Sequence, residues 1–217
     1  MTTRLTRWGH SCVRVDRGND HLVIDPGGYS DVAGALDGVT AALVTHEHVD
    51  HLDADRLPRV LAASPGARVV AEPSVAATLR QSGTDAARLA VGETVTLDAF
   101  TVEGVGGWHA VIHEDIPRVG NVGLLVRGPS GRTLFHPGDM LEATPDGVDV
   151  LALPIAAPWA ALKEMVTFVR AVRPAQTFPI HDAVLSGIGR QVYLRVLGGL
   201  LPDGTELLDL SAAPVQF

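Results

Sequence analysis

The chain is patterned as short apolar runs separated by glycine, proline and acidic turns, a rhythm that predicts strands with helices between them. Residues 4–8 and 11–15 read as strands, and Arg17-Gly18-Asn19-Asp20 is a turn leading into a third, residues 21–25. Pro26-Gly27-Gly28 closes that strand, and residues 41–45 make the next. The spacing of Leu57, Val60 and Leu61 predicts a helix over 53–63 with Asp53 as its N-cap. A strand over 68–71, a helix over 74–81 stopped at Gly83, and two strands within 92–107 follow. Residues 122–126 and 133–135 read as a hairpin around Gly128-Pro129-Ser130-Gly131, and 149–155 as a buried strand. Leu162, Val166, Val169 and Val172 mark the apolar side of a helix over 160–172. A strand over 176–180, a helix over 189–200 and a strand over 206–210 come last. Strands and helices recur in both halves, and an apolar strand ends in histidine at both His46 and His181. That parallel suggests two sheets stacked face to face with helices outside.

With 217 residues the chain can bury a substantial core, and no linker or low-complexity tract divides it, so residues 1–217 read as one domain. A hydrophobic fraction of 46% and a mean hydropathy of +0.20 are those of a globular protein. A net charge of −8 without any basic run counts against a general nucleic-acid-binding surface. Local phosphate recognition stays open, because metals can supply positive charge. Cys12 is the only cysteine, which excludes an internal disulfide and a cysteine-based zinc site. The opening MTTRLTRWGHSC lacks the apolar core of a signal peptide, and no run approaches the roughly 18 apolar residues of a membrane span. The expectation is a soluble cytoplasmic protein without a membrane partner.

The densest chemistry lies at residues 45–51, THEHVDH, directly after the apolar run 41–44. Three of the chain's nine histidines fall within six residues here, which weighs against a polar loop of unrelated histidines. His46 and His48 alternate along extended chain and can point to one side, while Asp50 and His51 follow a turn and can reach a second position. Imidazole nitrogen and carboxylate oxygen suit zinc, iron or manganese. A loop at the carboxyl end of a buried strand is where open sheets place their sites.

His109, Asp139 and His181 share one feature, a position just past a predicted strand, which brings them to one rim of the sheets. Each reads equally as a ligand or as a hydrogen-bonded polar residue at a strand end. His113 could be a ligand, a supporting group or a substrate contact, against the plainer reading of a loop histidine near solvent. His136 reads as structural and His21 as exposed at a hairpin edge. His10, in a Gly-His turn between strands, could project into the site. Trp108 and Trp159 flank the suspected site loops but read as packing residues.

With these residues in view, the chain resembles the metallo-β-lactamase superfamily over nearly its whole length. THEHVDH fits the family's His-x-His-x-Asp-His signature. Trp8-Gly9-His10-Ser11, Val23-Ile24-Asp25-Pro26-Gly27 and Phe135-His136-Pro137-Gly138-Asp139 fit flanking motifs, as do Leu151-Ala152-Leu153-Pro154-Ile155 and Phe178-Pro179-Ile180-His181. The short form with an N-terminal Gly-His-Ser looks closest to the branch containing L-ascorbate-6-phosphate lactonase. The resemblance implies an α+β fold, a four-layer αββα sandwich. It also implies two divalent metal ions, zinc first, with manganese or iron also accepted by the same donors. One is held by His46, His48 and His109, the other by Asp50, His51 and His181, and Asp139 bridges them. His113 is close enough to His109 to replace or support it, and Asp25 stands behind the ligands as an outer carboxylate.

The implied activity is hydrolysis by a metal-bridging hydroxide of an ester-like bond, a lactone or phosphoester, in a small molecule. Asp50 is the catalytic residue, orienting the hydroxide or handling its proton. His10, His113, Arg118 and Trp159 are candidate supporting or substrate contacts, and neither Ser11 nor Cys12 needs a catalytic role. Aspartate at position 139 is typical of lactone, thioester and phosphodiester hydrolases in the family. Three alternatives stand beside this reading: a nuclease or cyclic-nucleotide phosphodiesterase, a mono-iron oxidoreductase such as a persulfide dioxygenase, and a non-catalytic metal-binding sensor. No extended apolar stripe signals a partner, although small enzymes of this kind often form homo-oligomers.

Overall fold

In a computed structural model describing residues 2–210 and 214–216, the N-terminal pattern folds as an antiparallel meander. Its strands are β1 (Arg4–Arg7), β2 (Val13–Arg17) and β3 (Asp20–Ile24). Met1, from the segment read for a leader, and Phe217, which ends the 1–217 span, lie outside the described residues. The short α1 (Val32–Ala35) leads into β4 (Ala41–Val44), α2 (Arg56–Leu61), β5 (Arg68–Ala71), α3 (Pro73–Gln81) and β6 (Ala86–Arg88). From β3 to β6 the strands pair in parallel. The second half repeats the plan. An antiparallel β7 (Thr94–Leu97), β8 (Phe100–Trp108), β9 (Gly120–Arg127) and β10 (Thr133–His136) comes first. A parallel set follows, β11 (Val150–Pro154), α4 (Leu162–Val172), β12 (Gln176–Ile180), α5 (Gly187–Gly198) and β13 (Glu206–Leu207). Last, β14 (Val215–Gln216) pairs with β1.

The strands form two seven-stranded sheets, β14-β1-β2-β3-β4-β5-β6 and β13-β12-β11-β10-β9-β8-β7. Alternation within each strand builds the layers. Ala41 and Leu43 of β4 face the inter-sheet core with Phe100, Leu124 and Phe178, while Ala42 and Val44 face the helices with Val75 and Leu79. On the far side, Leu151 and Leu153 of β11 pack beneath Met165, Phe168 and Val169 of α4. Strands covered on both faces need apolar residues at every position, which is why β4 and β11 read as unbroken runs. Each fully buried leucine here contributes about 1.5–3 kcal/mol. Among the described residues this is the expected αββα sandwich.

Helix ends follow local chemistry. The Glu72 carboxylate accepts from the amides of Ser74 and Val75, and Pro73 opens α3, where its missing N–H costs nothing. Asp53 accepts from the Arg56 amide at 2.9 Å, but α2 is shorter than 53–63 and Asp55, not Asp53, stands at its N-cap. The sequence expectation of no apolar stripe is corrected on α5. Ile188, Val192 and Val196, with Leu200 just past the helix end, recur every four residues and stand exposed. Spacing alone makes such a stripe look like a core face, but the helix turns it away from the sheet. No described helix is long and apolar enough to cross a membrane.

His21 is also corrected. It is half-buried, and its Nδ1 donates to Asp16 at 2.7 Å. Asp16 is 9% exposed and also accepts from Arg14 at 2.7 Å and Arg4 at 3.1 Å. Burial would raise its pKa, but these hydrogen bonds from Arg14, His21 and Arg4 hold it below the usual carboxylate range. Asp16→Asn is expected to lower stability by about 1–3 kcal/mol at pH 7, as loss of hydrogen bonds to a charged group does. The contribution is fully present above the unfolded carboxylate's pKa of about 3.9 and is lost as pH falls through the lowered folded value. Urea unfolding at pH 7 and in acid should therefore show the two proteins converging in acid; a constant gap would contradict this account.

Candidate metal centre

The parallel strands deliver their carboxyl ends to one rim. Asp25 follows β3, His46 follows β4, Asp139 follows β10 and His181 follows β12. His10, Asp25 and His181 take positive φ values of 39°, 50° and 61°. Three of the five non-glycine residues with positive φ among those described are thus at this rim. Each such residue costs of order 1–3 kcal/mol, strain that native folds concentrate at functional sites.

Two groups of side chains converge there, His46, His48, His109 and Asp139, and His10, Asp50, His51 and His181. Within each group the potential ligand atoms lie within 4.8 Å of one another. The Asp139 carboxylate touches both. Its Oδ2 is 3.3 Å from His109 Nε2, 3.9 Å from His46 Nε2 and 3.1 Å from His181 Nε2, and its Oδ1 is 3.0 Å from His51 Nε2.

Hydrogen bonding assigns the ring nitrogens. His109 Nδ1 donates to the Ala110 carbonyl and His181 Nδ1 to the Ala156 carbonyl, each at 2.6 Å. His51 Nδ1 donates to Asp25 at 2.7 Å. The Thr45 hydroxyl donates to Asp25, so its oxygen accepts from His46 Nδ1 at 3.0 Å. All four rings spend Nδ1 on these partners and turn Nε2 toward Asp139.

His10 and His136 are wired the other way. His10 Nδ1 accepts from the Ala183 amide and its Nε2 donates to Asp50 at 3.1 Å. His136 Nδ1 accepts from Gly138 and its Nε2 donates to the Ser11 carbonyl at 2.9 Å. His10 therefore holds a carboxylate and His136 holds backbone; neither offers a free lone pair.

Among the described residues, His46 Nε2, His109 Nε2 and Asp139 Oδ1 are buried without a hydrogen-bond partner. A buried unsatisfied polar atom costs about 1–3 kcal/mol, so lone pairs aimed at a shared carboxylate call for a cation between them. A divalent ion with nitrogen and oxygen donors fits, and the only thiol, Cys12, lies in the core beneath the first sheet's helices. Burial lowers His46 well below its ordinary pKa, with His51 adding to the effect, so it is the neutral imidazole a metal requires. Burial would also lower His181, but Asp139 and Asp50 push it up to about 9. Burial opposes ionisation of Asp139, yet His51, His109 and His181 hold its carboxyl well below the usual range.

The remaining sequence candidates sort by position. Asp25 is fully buried and ties the Thr45 amide and hydroxyl to His51. Trp159 donates to Asp139 at 3.1 Å, a contact to the carboxylate where packing was expected, and Trp108 is 57% exposed. Arg118 braces the His109 carbonyl at 2.7 Å and reaches Glu142. His113 does not join the cluster. It is exposed beside Asp115 on the loop that follows β8, so His109 alone of that pair points inward.

Sequence reasoning missed Asn121, whose side chain accepts from the Asp139 amide and donates to the Pro137 carbonyl. It also missed Asp182, held by Arg7 and Arg190 beside His181. The Pro179-Ile180-His181-Asp182 run was the available signal for Asp182. Asp25→Ala releases both His51 Nδ1 and Thr45, and metal affinity is expected to fall about 10–100-fold, the usual cost of an outer-shell partner. Competition with a chelating dye measures it, and an unchanged affinity would contradict the role given to Asp25.

A family model described as Beta-lactamase superfamily domain matches residues 4–181. Protein Rv0786c of Mycobacterium tuberculosis is 42% identical over 211 residues, covering 97% of this chain and 98% of that protein. A Mesorhizobium japonicum protein named UPF0173 metal-dependent hydrolase mll0680 is 33% identical over 153 residues, 63% of each chain. The chain thus spans less than two thirds of that relative. The metallo-beta-lactamase fold protein YhfI of Bacillus subtilis superposes with a TM-score of 0.75 at 13% identity, over 100% of both chains. The family match runs from β1 through His181 and takes in both groups at the rim, and the paired sheets are those of YhfI; the chain belongs to the metallo-β-lactamase superfamily.

Proposed function

We propose that this protein is a metal-dependent hydrolase with a dinuclear centre, acting on an ester-like bond of a small molecule, a lactone or a phosphoester. One ion is held by His46, His48 and His109, the second by Asp50, His51 and His181, and Asp139 is shared. The observation that carries this reading is the set of four imidazoles pinned through Nδ1 with Nε2 turned to one carboxylate, those of His46 and His109 buried without a partner. The name of the Mesorhizobium japonicum relative supports it. Ions bound there supply Lewis acidity and make hydroxide available near neutral pH.

The chain's own groups do the rest. Asp50 is partly open to solvent and its Oδ2 accepts the His10 proton, so His10 fixes its rotamer. Held that way, Asp50 is placed to orient the attacking water and take up its proton. Trp159 fixes the shared Asp139 from the substrate side. No side-chain nucleophile is required, and burial pushes the Cys12 thiol far up, out of the range of a reactive thiolate.

Protein reconstituted with zinc or manganese is expected to hydrolyse members of a panel of p-nitrophenyl esters, γ-lactones and p-nitrophenyl phosphodiesters. Activity should disappear with chelator and return with metal. Metal-loaded protein that turns over no ester, lactone or phosphoester would contradict the reading.

A further inference from the structure

We propose that a groove beyond Trp159 seats an uncharged, apolar arm of the substrate, so that the bond cleaved is a carboxylic ester or lactone bearing an alkyl or aryl arm. This rests on the hydrolase reading above and narrows it. The groove has a volume of about 440 Å³, within the range of small-molecule sites. Ala110, Leu141, Trp159, Phe168 and Ala171 form its apolar walls.

It is continuous with the metal centre through two residues. Ala110 directly follows His109, and its amide donates to the Asp139 carbonyl at 2.7 Å. Trp159 donates to the Asp139 carboxylate, and its ring lies 5.9 Å from that of His109 and 6.0 Å from that of His181. The indole thus borders both the histidines and the groove.

Charge selects the kind of arm. No lysine or arginine lines the groove, but Glu142 and Glu164 do. Glu164 is spent on the Ala161 amide at the start of α4. Arg118, the cation that meets Glu142, is already bound to the His109 carbonyl. A phosphate or carboxylate on the arm would face carboxylates with no cation to pair with, whereas an alkyl chain would face Phe168 and Trp159. Exposed Val111, on the loop that carries His109, lines the same groove and extends its apolar character. In the reaction, water adds its oxygen to the acyl carbon, the acyl C–O bond breaks, and a proton goes to the leaving oxygen; no oxidant or reductant is consumed.

The test is a length series of γ-lactones from γ-butyrolactone to γ-dodecalactone, with lactones whose arm ends in carboxylate, on the metal-reconstituted full chain. The expected result is kcat/KM rising about 3–4-fold per methylene until the groove is filled, mainly through KM. A terminal carboxylate should cancel the gain. Ala171→Trp, at an exposed position of α4 that faces the groove, should bring the long-to-short ratio toward one; if that variant does not fold, the wild-type series decides. A flat series, or preference for the carboxylated arm, overturns the proposal. If no lactone is hydrolysed, the ester and phosphoester panel judges the hydrolase reading separately, turnover of phosphoesters alone overturns this proposal, and where nothing is turned over calorimetry with octanamide and suberamic acid decides the groove. Binding of octanamide alone supports it, and binding of neither, or of suberamic acid as tightly, overturns it.

Discussion

Asp139→Asn is expected to leave the fold intact and strip the protein of bound metal. The amide keeps the shape of the carboxylate and an oxygen for the Trp159 indole, so circular dichroism should be unchanged. What disappears is the one negative charge that four imidazole nitrogens approach to between 3.0 and 3.9 Å. On the proposed assignment, losing that charge deprives both ions of their shared ligand. The loss in metal affinity should exceed the roughly 10–100-fold that follows removal of an outer-shell partner. Hydrolysis should fall with the metal and stay low when zinc or manganese is raised to levels that saturate the wild type. Retained metal with unimpaired turnover would remove Asp139 from the centre.

Gly27→Ala should do comparable damage without touching a ligand. A Cβ built on Gly27 would lie 1.9 Å from the Asp50 carbonyl oxygen and 2.5 Å from the His51 nitrogen. These are backbone atoms and cannot swing aside. The two loops are also locked together, since Gly28 donates to the Val49 carbonyl at 2.7 Å and Asp53 to the Pro26 carbonyl at 3.1 Å. The added methyl must push apart the segment carrying His48, Asp50 and His51. Overpacking of this kind costs about 1–3 kcal/mol or more in stability. An ångström of misplacement at a catalytic group costs about 100-fold in rate. Gly66, where an added Cβ meets nothing within 4 Å, is the control, and Gly66→Ala should be close to neutral. Thermal unfolding and turnover of both variants check this, and a Gly27→Ala protein as stable and active as wild type would show that the two loops are not rigidly joined.

Much of this architecture is written locally. The run 41–44 is apolar at every position because β4 is covered on both faces, and the same holds for β11, so both strands could be read without knowing their partners. The residues of THEHVDH are adjacent in sequence and converge in space. His109, Asp139 and His181 shared only a position after a strand, and separating His109 from His113 needed the fold. β8 carries Trp108 to the rim and the His109 amide bonds Val119, while His113 lies on the surface loop between them.

Other features leave no side-chain trace. The carbonyls of Ala110 and Ala156 and the amide of Ala183 decide which histidine nitrogens are free, and any residue supplies a carbonyl. The strands β6 and β14 were not foreseen because three and two residues carry no periodicity, and pairing with β5 and β1 creates them. The four-residue spacing on α5 has the opposite fault, since periodicity cannot say which way a helix faces.

The most direct test of the dinuclear centre is metal content per chain after reconstitution, measured by plasma mass spectrometry for the wild type, His109→Ala and His181→Ala. About two zinc or manganese ions are expected in the wild type and about one in each variant, because each histidine is assigned to a different ion. A single ion in the wild type, retained by His181→Ala, would contradict that assignment.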